Sequence, residues 1–577
     1  MVPKFLNHCT VLSREKCFLL GVTFLFVSSK SWNQDLVISH ENGYHGEIFN
    51  LTVECEKCTE IKFTLDGTDP RNGQPIKDKL QISPLLLTEQ RLSFLPTTAL
   101  PNVDGDEQWH TWQKPDNYET AVAITLGGYK NGELITNYEY RTYFFNQNWD
   151  SFPTMSLFIN PPDFYDDSTG ISVPGIHANP TNTIWTGNYH MKGRDWERRI
   201  HWTSISAGKT LQDEDVGVRI HGLKAGSAPQ KSLRLYARKK FGSKSLKYKF
   251  EKGKKKKHQR LLLRTPYSGH SSKLISDVVA HELARPLDLE IMDYGFTRTF
   301  INGEYWGLHM VRERVDERYI AEHFKCNGDS VLIPGNYDQP EFQAIFDFID
   351  NHDLSQNDAI ARFGELIDIS NFTDYIICET FFGNTDWLEN NNNVTFWKEK
   401  GKGKWRLILI DIDAGFQQSK RNMFEFIKDH SESMITKIFT ALIKNDAYKK
   451  RLTHRYAEVL NSHFAPKRCF KIVDSIHAIV EPQIGPHIAR WGHPTSVFAW
   501  NKDIDNLRSF INERAIAVPD QIESSLHVDA SDMRGISGVF FVSQDKKVIG
   551  FSILGLLSIL LISIRIRRRK KRKALNK

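Results

Sequence analysis

Between Asn384 and Phe416 the chain reads "NTDWLENNNNVTFWKEKGKGKWRLILIDIDAGF", which sets oxygen-bearing side chains in a definite order. Asp386 precedes a run of asparagines, with Asn391 five positions on. Twenty residues after Asn391, an apolar run ends in Asp411-Ile412-Asp413. A carboxylate such as Asp386 can accept a proton from an attacking hydroxyl. Alternation along a strand predicts that Asp411 and Asp413 point to the same side. Two carboxylates beside the Asn391 amide make an all-oxygen pocket of the kind that holds Mg2+ or Mn2+. Such an ion neutralises charge on a transferring phosphoryl group, so these residue types in this order point to phosphoryl transfer.

Several elements must position these groups. "NFTDYIICETFFGN" has helical spacing, and its end delivers Asn384 and Asp386. "KWRLILIDIDAGF" is apolar enough for a fully buried strand. Upstream, "VGVRIHGLKAGSAPQKSLRLYARKKFG" reads as strand, glycine-bearing turn, strand, and "KLISDVVAHELA" reads as helix. "FTRTFINGEYWGLHMV" carries Asn302-Gly303 between β-rich runs, a strong hairpin signal. From Met423 to about Leu507 the pattern is mostly helical. Residues 152–515 therefore read as a mixed α/β (α+β) domain. Residues 35–148 differ: "EIFNLTVEC", "IKFTLDGTDP" and "TAVAITLGGYKNGELITNYEYRTYFF" alternate over short runs and predict an all-β sandwich.

A chain of 577 residues with 40% hydrophobic and 25% charged residues predicts several ordinary globular domains. Its net charge of +7 is local: Arg565–Lys577 carries nine positive charges, leaving −2 for the rest. A nucleic-acid binder would spread basic charge over its folded body, so that class is excluded. The tail at 565–577 follows 17 uncharged residues at 548–564, which predict a single transmembrane helix with the tail in the cytoplasm. Residues 516–547 read as a juxtamembrane linker. Residues 1–31 read as a signal peptide or N-terminal anchor. The expected location is the cell membrane, single-pass, with the large N-terminal region outside the cytoplasm. Cys55 and Cys58 form a C-x-x-C that is either a local disulfide or a free pair. No second pair completes a zinc site. Asn50, Asn371 and Asn393 each open a glycosylation acceptor sequence.

The interval from Asp386 to Asn391 equals that between the base and the metal-binding asparagine of a protein-kinase catalytic loop. Five ordered blocks extend the likeness: "FPTMSLFINPPDFYD", "GVRIHGLKAGSAPQKSLRLYARKKFG", "FINGEYWGLHMVRERVDERYI", "ETFFGNTDWLENNNN" and "KWRLILIDIDAGF". In these the chain resembles the CotH family of atypical secreted protein kinases. "FTLDGTDP" resembles the module at the C-terminus of chitobiases, which implies an accessory domain facing glycans. The CotH resemblance implies a kinase-like fold, ATP, a divalent metal, and transfer to Ser or Thr hydroxyls of protein substrates. It makes Asp386 the catalytic base and Asn391 and Asp411 metal ligands, with Asp413 a second acid. Lys231, which follows a turn and opens a strand, is the candidate to reach the ATP phosphates. Glu282 and Glu313 are unranked candidates for its partner. After "RIHG" the family's further Gly and Ser-Arg pair are replaced by "LKAGSA", so an arginine that could touch phosphate is missing there. The alternative function is a non-catalytic surface binding or adhesion protein on the same scaffold.

Overall fold

The computed structural model describes residues 35–84, 115–145, 152–182, 185–222, 224–242, 244–252, 256–265, 273–334, 337, 339–391 and 393–529. The expected leader at 1–31, the span at 548–564 and the tail at 565–577 lie outside the described residues. Among those described, no helix is long and apolar enough to cross a membrane.

Residues 35–145 are β-rich. One sheet orders Gly43–Tyr44, Glu139–Phe144, Val122–Lys130, Glu60–Thr64 and Gln74–Pro75, and two short strand pairs share its core of Leu51, Phe63, Ile82, Ile124 and Leu126. Cys55 and Cys58 are disulfide-bonded. The turn "LDGTDP" seats this unit on the next. Gly67 has φ +81, and a Cβ there would lie 2.5 Å from Asn302 and from the Ile159 carbonyl, so a side chain is excluded. Asn302 Nδ2 donates to the Asp66 carbonyl at 2.8 Å and completes the seat.

The chain then builds a closed seven-stranded barrel. Its strands are β1 (Thr154–Phe158), β2 (Arg198–Ser206), β3 (Lys209–His221), β4 (Ser232–Tyr236), β5 (Arg260–Arg264), β6 (Tyr294–Ile301) and β7 (Glu304–Glu313). They run in the order β1-β2-β3-β4-β5-β7-β6, and parallel pairing of β1 with β6 closes the ring. Alternation sends Trp202, Val216, Leu233, Leu235, Leu261 and Leu263 into the barrel core. The hairpin expected at Asn302-Gly303 joins β6 to β7, both residues at positive φ (48° and 78°), as a tight turn of this hand requires.

Helix α1 (Lys273–Ala284) matches its predicted span and follows β5 in sequence. Beyond β7, α2 (Ile369–Phe382), strands β8 (Thr395–Glu399) and β9 (Arg406–Ile408), α3 (Met434–Leu442) and α4 (Val497–Leu526) contribute to the largest core. Helix α4 runs to Leu526, into the stretch 516–547 expected as a linker, because Val518, Ile522 and Leu526 keep a buried stripe at helical spacing, and residues from 530 on lie outside the described residues. One acceptor sequence is also corrected. Asn371 is fully buried on α2, and its amide donates to the Asp288 and Leu407 carbonyls (2.9 and 3.1 Å), so no sugar fits there in the folded chain.

Candidate active site

Strand β9 stops at Ile408, so Asp411 and Asp413 are not alternate residues of a strand as the sequence predicts. Asp411 sits at φ 54, ψ 59, and Ile412–Ala414 is a 3-10 turn. A left-handed aspartate costs about 1–3 kcal/mol and persists only where its surroundings hold it. Asp277 of α1 supplies part of that hold by accepting from the Ile412 amide at 3.1 Å. The turn nonetheless brings the two carboxylates together. Arg264, at the end of β5, contacts Asp411 and lies 3.3 Å from Asp413 Oδ2. Its other arm is 3.6 Å from Asp277, on which Arg312 of β7 converges at 3.1 Å. Burial, with the charge of Asp411, pushes Asp413 up to about 7. Burial also opposes charge on Asp277, but Arg312 and Arg264 outweigh it and hold that carboxyl well below the usual range.

Asp277 and Arg264 are residues the sequence reading missed. Glu282 and Glu313 are engaged elsewhere, Glu282 with Arg285 (2.7 Å) and Lys252, Glu313 with His323 (3.1 Å). Asp277 did leave a signal: it is an acid set among Leu274, Ile275, Val278 and Val279, an apolar helical stripe that is buried. A carboxylate in that stripe needs a cation beside it.

Register places more arginines on the face that carries Arg264. The cross-strand pairs Arg219–Arg234, Arg234–Leu262 and Leu262–Arg312 form one row over β3, β4, β5 and β7, and Tyr236–Arg260 lies beside it. Arg219, Arg238 and Arg260 stand 4.4, 4.8 and 5.9 Å from the Tyr236 ring centre. Asp316 answers Arg260 at 2.8 Å and Glu197 answers Arg238 at 2.9 Å. Arg219 donates to the Gly193 carbonyl (2.9 Å) and Arg234 to His221 Nδ1 (2.6 Å), while the Nε atoms of Arg219, Arg234 and Arg314 are buried with no hydrogen-bond partner among the described residues. Burial, with neighbouring Arg234, lowers Arg314 to about 10. Buried donors left unmade are expensive, and a phosphate is the group whose geometry satisfies guanidiniums. The arginines of this face are thus carried on the strands and not on the "LKAGSA" turn.

Lys231 is not on this face. It precedes β4 in phase with the inward Leu233 and Leu235, is 1% exposed, and holds Nζ 4.7 Å from the Tyr189 ring centre. Among the described residues that amine has no hydrogen-bond partner, and burial lowers it to about 7.

The asparagine run has a conformational reason. Helix α2 ends on Gly383 at φ 63, after which Asn384 Oδ1 accepts from the amide of the exposed Asp386 at 3.2 Å. Asn393, rather than Asn391, reaches that acid: its Nδ2 donates to the Asp386 carbonyl (2.9 Å) and to Oδ2 (3.2 Å). Asn391 Oδ1 instead accepts from the Met434 amide (2.9 Å) and the Ser433 hydroxyl (3.3 Å) at the start of α3. A 3-10 turn at Glu389–Asn391 takes up the residues that simple spacing would count. Asn391 and Asn393 both have positive φ (52° and 54°), which asparagine adopts more readily than most residues.

Among the described residues, no group of three or more His, Cys, Asp or Glu is arranged to hold a metal ion. Two carboxylates that already share one cation do suit a divalent ion completed by phosphate oxygens. The family described as CotH kinase protein matches residues 218–518, from β3 into α4. The chain belongs to the CotH kinase family. The matched span is more than half of the 577 residues and contains Arg264, Asp277, Asp386, Asp411 and Asp413. A kinase-like function in general terms follows for this CotH kinase. Among solved structures, the crystal structure of a Helicobacter pylori proinflammatory kinase, CtkA, is similar at 12% identity and covers 48% of this chain and 92% of that chain. Its TM-score of 0.22 is too low to place any residue of this CotH kinase. No curated protein matches the chain.

Proposed function

We propose that this CotH kinase transfers the γ-phosphate of ATP to serine or threonine hydroxyls of secreted or cell-surface proteins. A span at 548–564 holds the catalytic domain outside the cytoplasm, and the N-terminal β-rich unit serves as an accessory that meets glycans. The observation that carries the catalytic reading is the meeting of Asp411 and Asp413 on one cation, at the edge of a face where Arg219, Arg234 and Arg314 have no carboxylate partner among the described residues. In this reading Asp386 accepts the proton of the attacking hydroxyl. Asp411 and Asp413 would hold Mg2+ or Mn2+, and the ion would neutralise charge on the transferring group. Asn393 takes the role that spacing gave Asn391: its amide nitrogen is committed to Asp386, so its carbonyl oxygen is the end that can face a cation. Arg219, Arg234 and Arg314 bind the nucleotide phosphates, and Tyr236 offers its ring to the base.

The test uses the full-length protein with labelled ATP, Mn2+ or Mg2+, and a generic protein acceptor, beside Asp386→Asn and Asp411→Ala. Label incorporation that falls by about 10²-fold in both variants is expected. A second reading, a surface binding protein without turnover, has one observation in its favour: Arg264 already neutralises both acids. No incorporation by the parent, with no thermal shift on adding ATP, decides for that reading.

A further inference from the structure

The last turn of α2 ties both arms of the site together. Glu379, fully buried there, accepts from Asn384 Nδ2 at 2.9 Å, and Asn384, also fully buried, accepts from the Asp386 amide at 3.2 Å. The same helix end binds the segment that follows the two acids, since the Phe416 amide donates to the Phe382 carbonyl at 2.7 Å. Arg514 of α4 reinforces the junction by donating to the Thr380 carbonyl (2.6 Å) and to the Arg421 carbonyl (2.6 Å). The arrangement of Asn384 has a chemical logic. An amide can present either end, and only one orientation offers oxygen to Asp386 and nitrogen to Glu379. The Glu379 oxygen selects that orientation by accepting. Burial pushes the acid up to about 8 against the hydrogen bonds of Asn384 and Tyr375, with the charge of Asp411 adding to the rise. Asp374, the other buried acid of this helix, is held by Arg455 at 2.8 Å, whereas no cation lies within ion-pair distance of Glu379 among the described residues, so its retention needs a reason beyond packing.

We propose that Glu379 and Asn384 are positioning residues that fix the aim of Asp386 relative to Asp411. The proposal rests on the phosphotransfer reading above. Both side chains are fully buried, so in this role they act on the chemical step alone. A base moved by about 1 Å loses on the order of 10²-fold in rate while binding is kept.

The experiment compares full-length parent, Asn384→Ala, Glu379→Leu and Glu379→Gln. Readouts are kcat and KM for ATP against a generic acceptor, and the thermal shift produced by ATP with Mn2+. Expected are losses of about 10- to 100-fold in kcat for Asn384→Ala and Glu379→Leu, with KM for ATP and the ATP shift within about 3-fold of the parent. Glu379→Gln, which keeps an accepting oxygen, recovers to within about 5-fold of the parent. Parental kcat in Asn384→Ala overturns the proposal, as does an ATP shift lost in step with kcat, which marks collapse of the fold. If Glu379→Leu does not fold, failure of Glu379→Gln to keep activity overturns it in the same way. A parent that binds ATP but transfers nothing overturns the phosphotransfer reading instead, and the positioning role with it, by a signature the variants do not share.

Discussion

Two groups of arginine share one face of the barrel and are treated in opposite ways. Arg264 and Arg312 are answered within the protein by Asp277, Asp411 and Asp413. Arg219, Arg234 and Arg314, a strand or two away, have no carboxylate within ion-pair distance among the described residues: Arg219 donates to the Gly193 carbonyl (2.9 Å) and Arg234 to His221 Nδ1 (2.6 Å), and the Nε atoms of all three stay buried without a partner there. The paired group has its counter-charges within the chain, and they hold α1, β5, β7 and the acidic turn in one place. The second group lacks counter-charge: half-buried cations set side by side repel one another, and an anion from outside the chain would relieve that repulsion. That difference sets an ion-paired support beside a cationic surface on the same strands.

The strongest way to break the paired group is Asp277→Ala, which leaves two guanidiniums in a buried place without their shared acid. A loss of about 3–5 kcal/mol in unfolding free energy is expected by denaturant titration. The pH dependence follows in sign. The folded-state pKa of Asp277 is depressed, so its contribution is present above the ordinary carboxylate range and is lost as pH falls through the folded value. Parent stability should fall on acidification toward and below about pH 4, and Asp277→Ala should lack that part of the fall.

The unpaired group responds in the opposite sense. Arg234→Gln and Arg314→Gln each remove a repelled cation, so the nucleotide-free protein is expected to gain about 1 kcal/mol. Each should also weaken ATP by about 10-fold or more, since a charge-assisted hydrogen bond contributes about 1.5–3 kcal/mol. Thermal midpoints measured with and without ATP check both halves. Variants that lose stability while keeping ATP affinity would show that the two groups do not differ in kind. Next in size is the asparagine pair. Asn393→Ala should lower kcat by about 10-fold or more, while Asn391→Ala should cost about 1 kcal/mol of stability, the value of a helix cap, with little change in rate.

Parts of this site were legible before any coordinates. Helix α1, the Asn302-Gly303 hairpin, helix α2 and the order Asp386, asparagines, Asp411-Ile-Asp413 all follow from local periodicity and turn chemistry. What periodicity could not show is closure and register. The parallel pairing of β1 with β6 joins distant segments, and register alone aligns Arg219, Arg234, Leu262 and Arg312 in a row. The Asp277–Arg264 pair is likewise long-range, though an acid within an apolar helical stripe hinted at it. Spacing singled out Asn391, whereas Asn393 is the one that contacts Asp386, because counting assumes a regular loop, and a 3-10 turn with two left-handed asparagines is not one.

Lys231 offers the smallest effect on activity and a sharp check on which face of β4 binds nucleotide. The lysine is in phase with the barrel core and its amine is buried over Tyr189, whereas Arg234 stands on the opposite side of the strand. Lys231→Met keeps most of the volume and removes the charge. If the arginine face is the binding surface, the ATP-induced thermal shift and KM for ATP stay within about 3-fold of the parent. If Lys231 grips phosphate, both fall by about 10-fold or more. Stability gives an independent readout. Burial lowers the folded-state pKa of Lys231 to about 7, below its value in the unfolded chain. Between about pH 7 and 10 the unfolded chain then binds more protons than the folded one, so parent stability gains from this group as pH rises. Lys231→Met lacks that rise. Its advantage over the parent should be greatest near pH 7, on the order of a few kcal/mol, and should shrink toward pH 10. A difference that is flat across this range would place the amine in water and return Lys231 to the list of groups able to meet a phosphate.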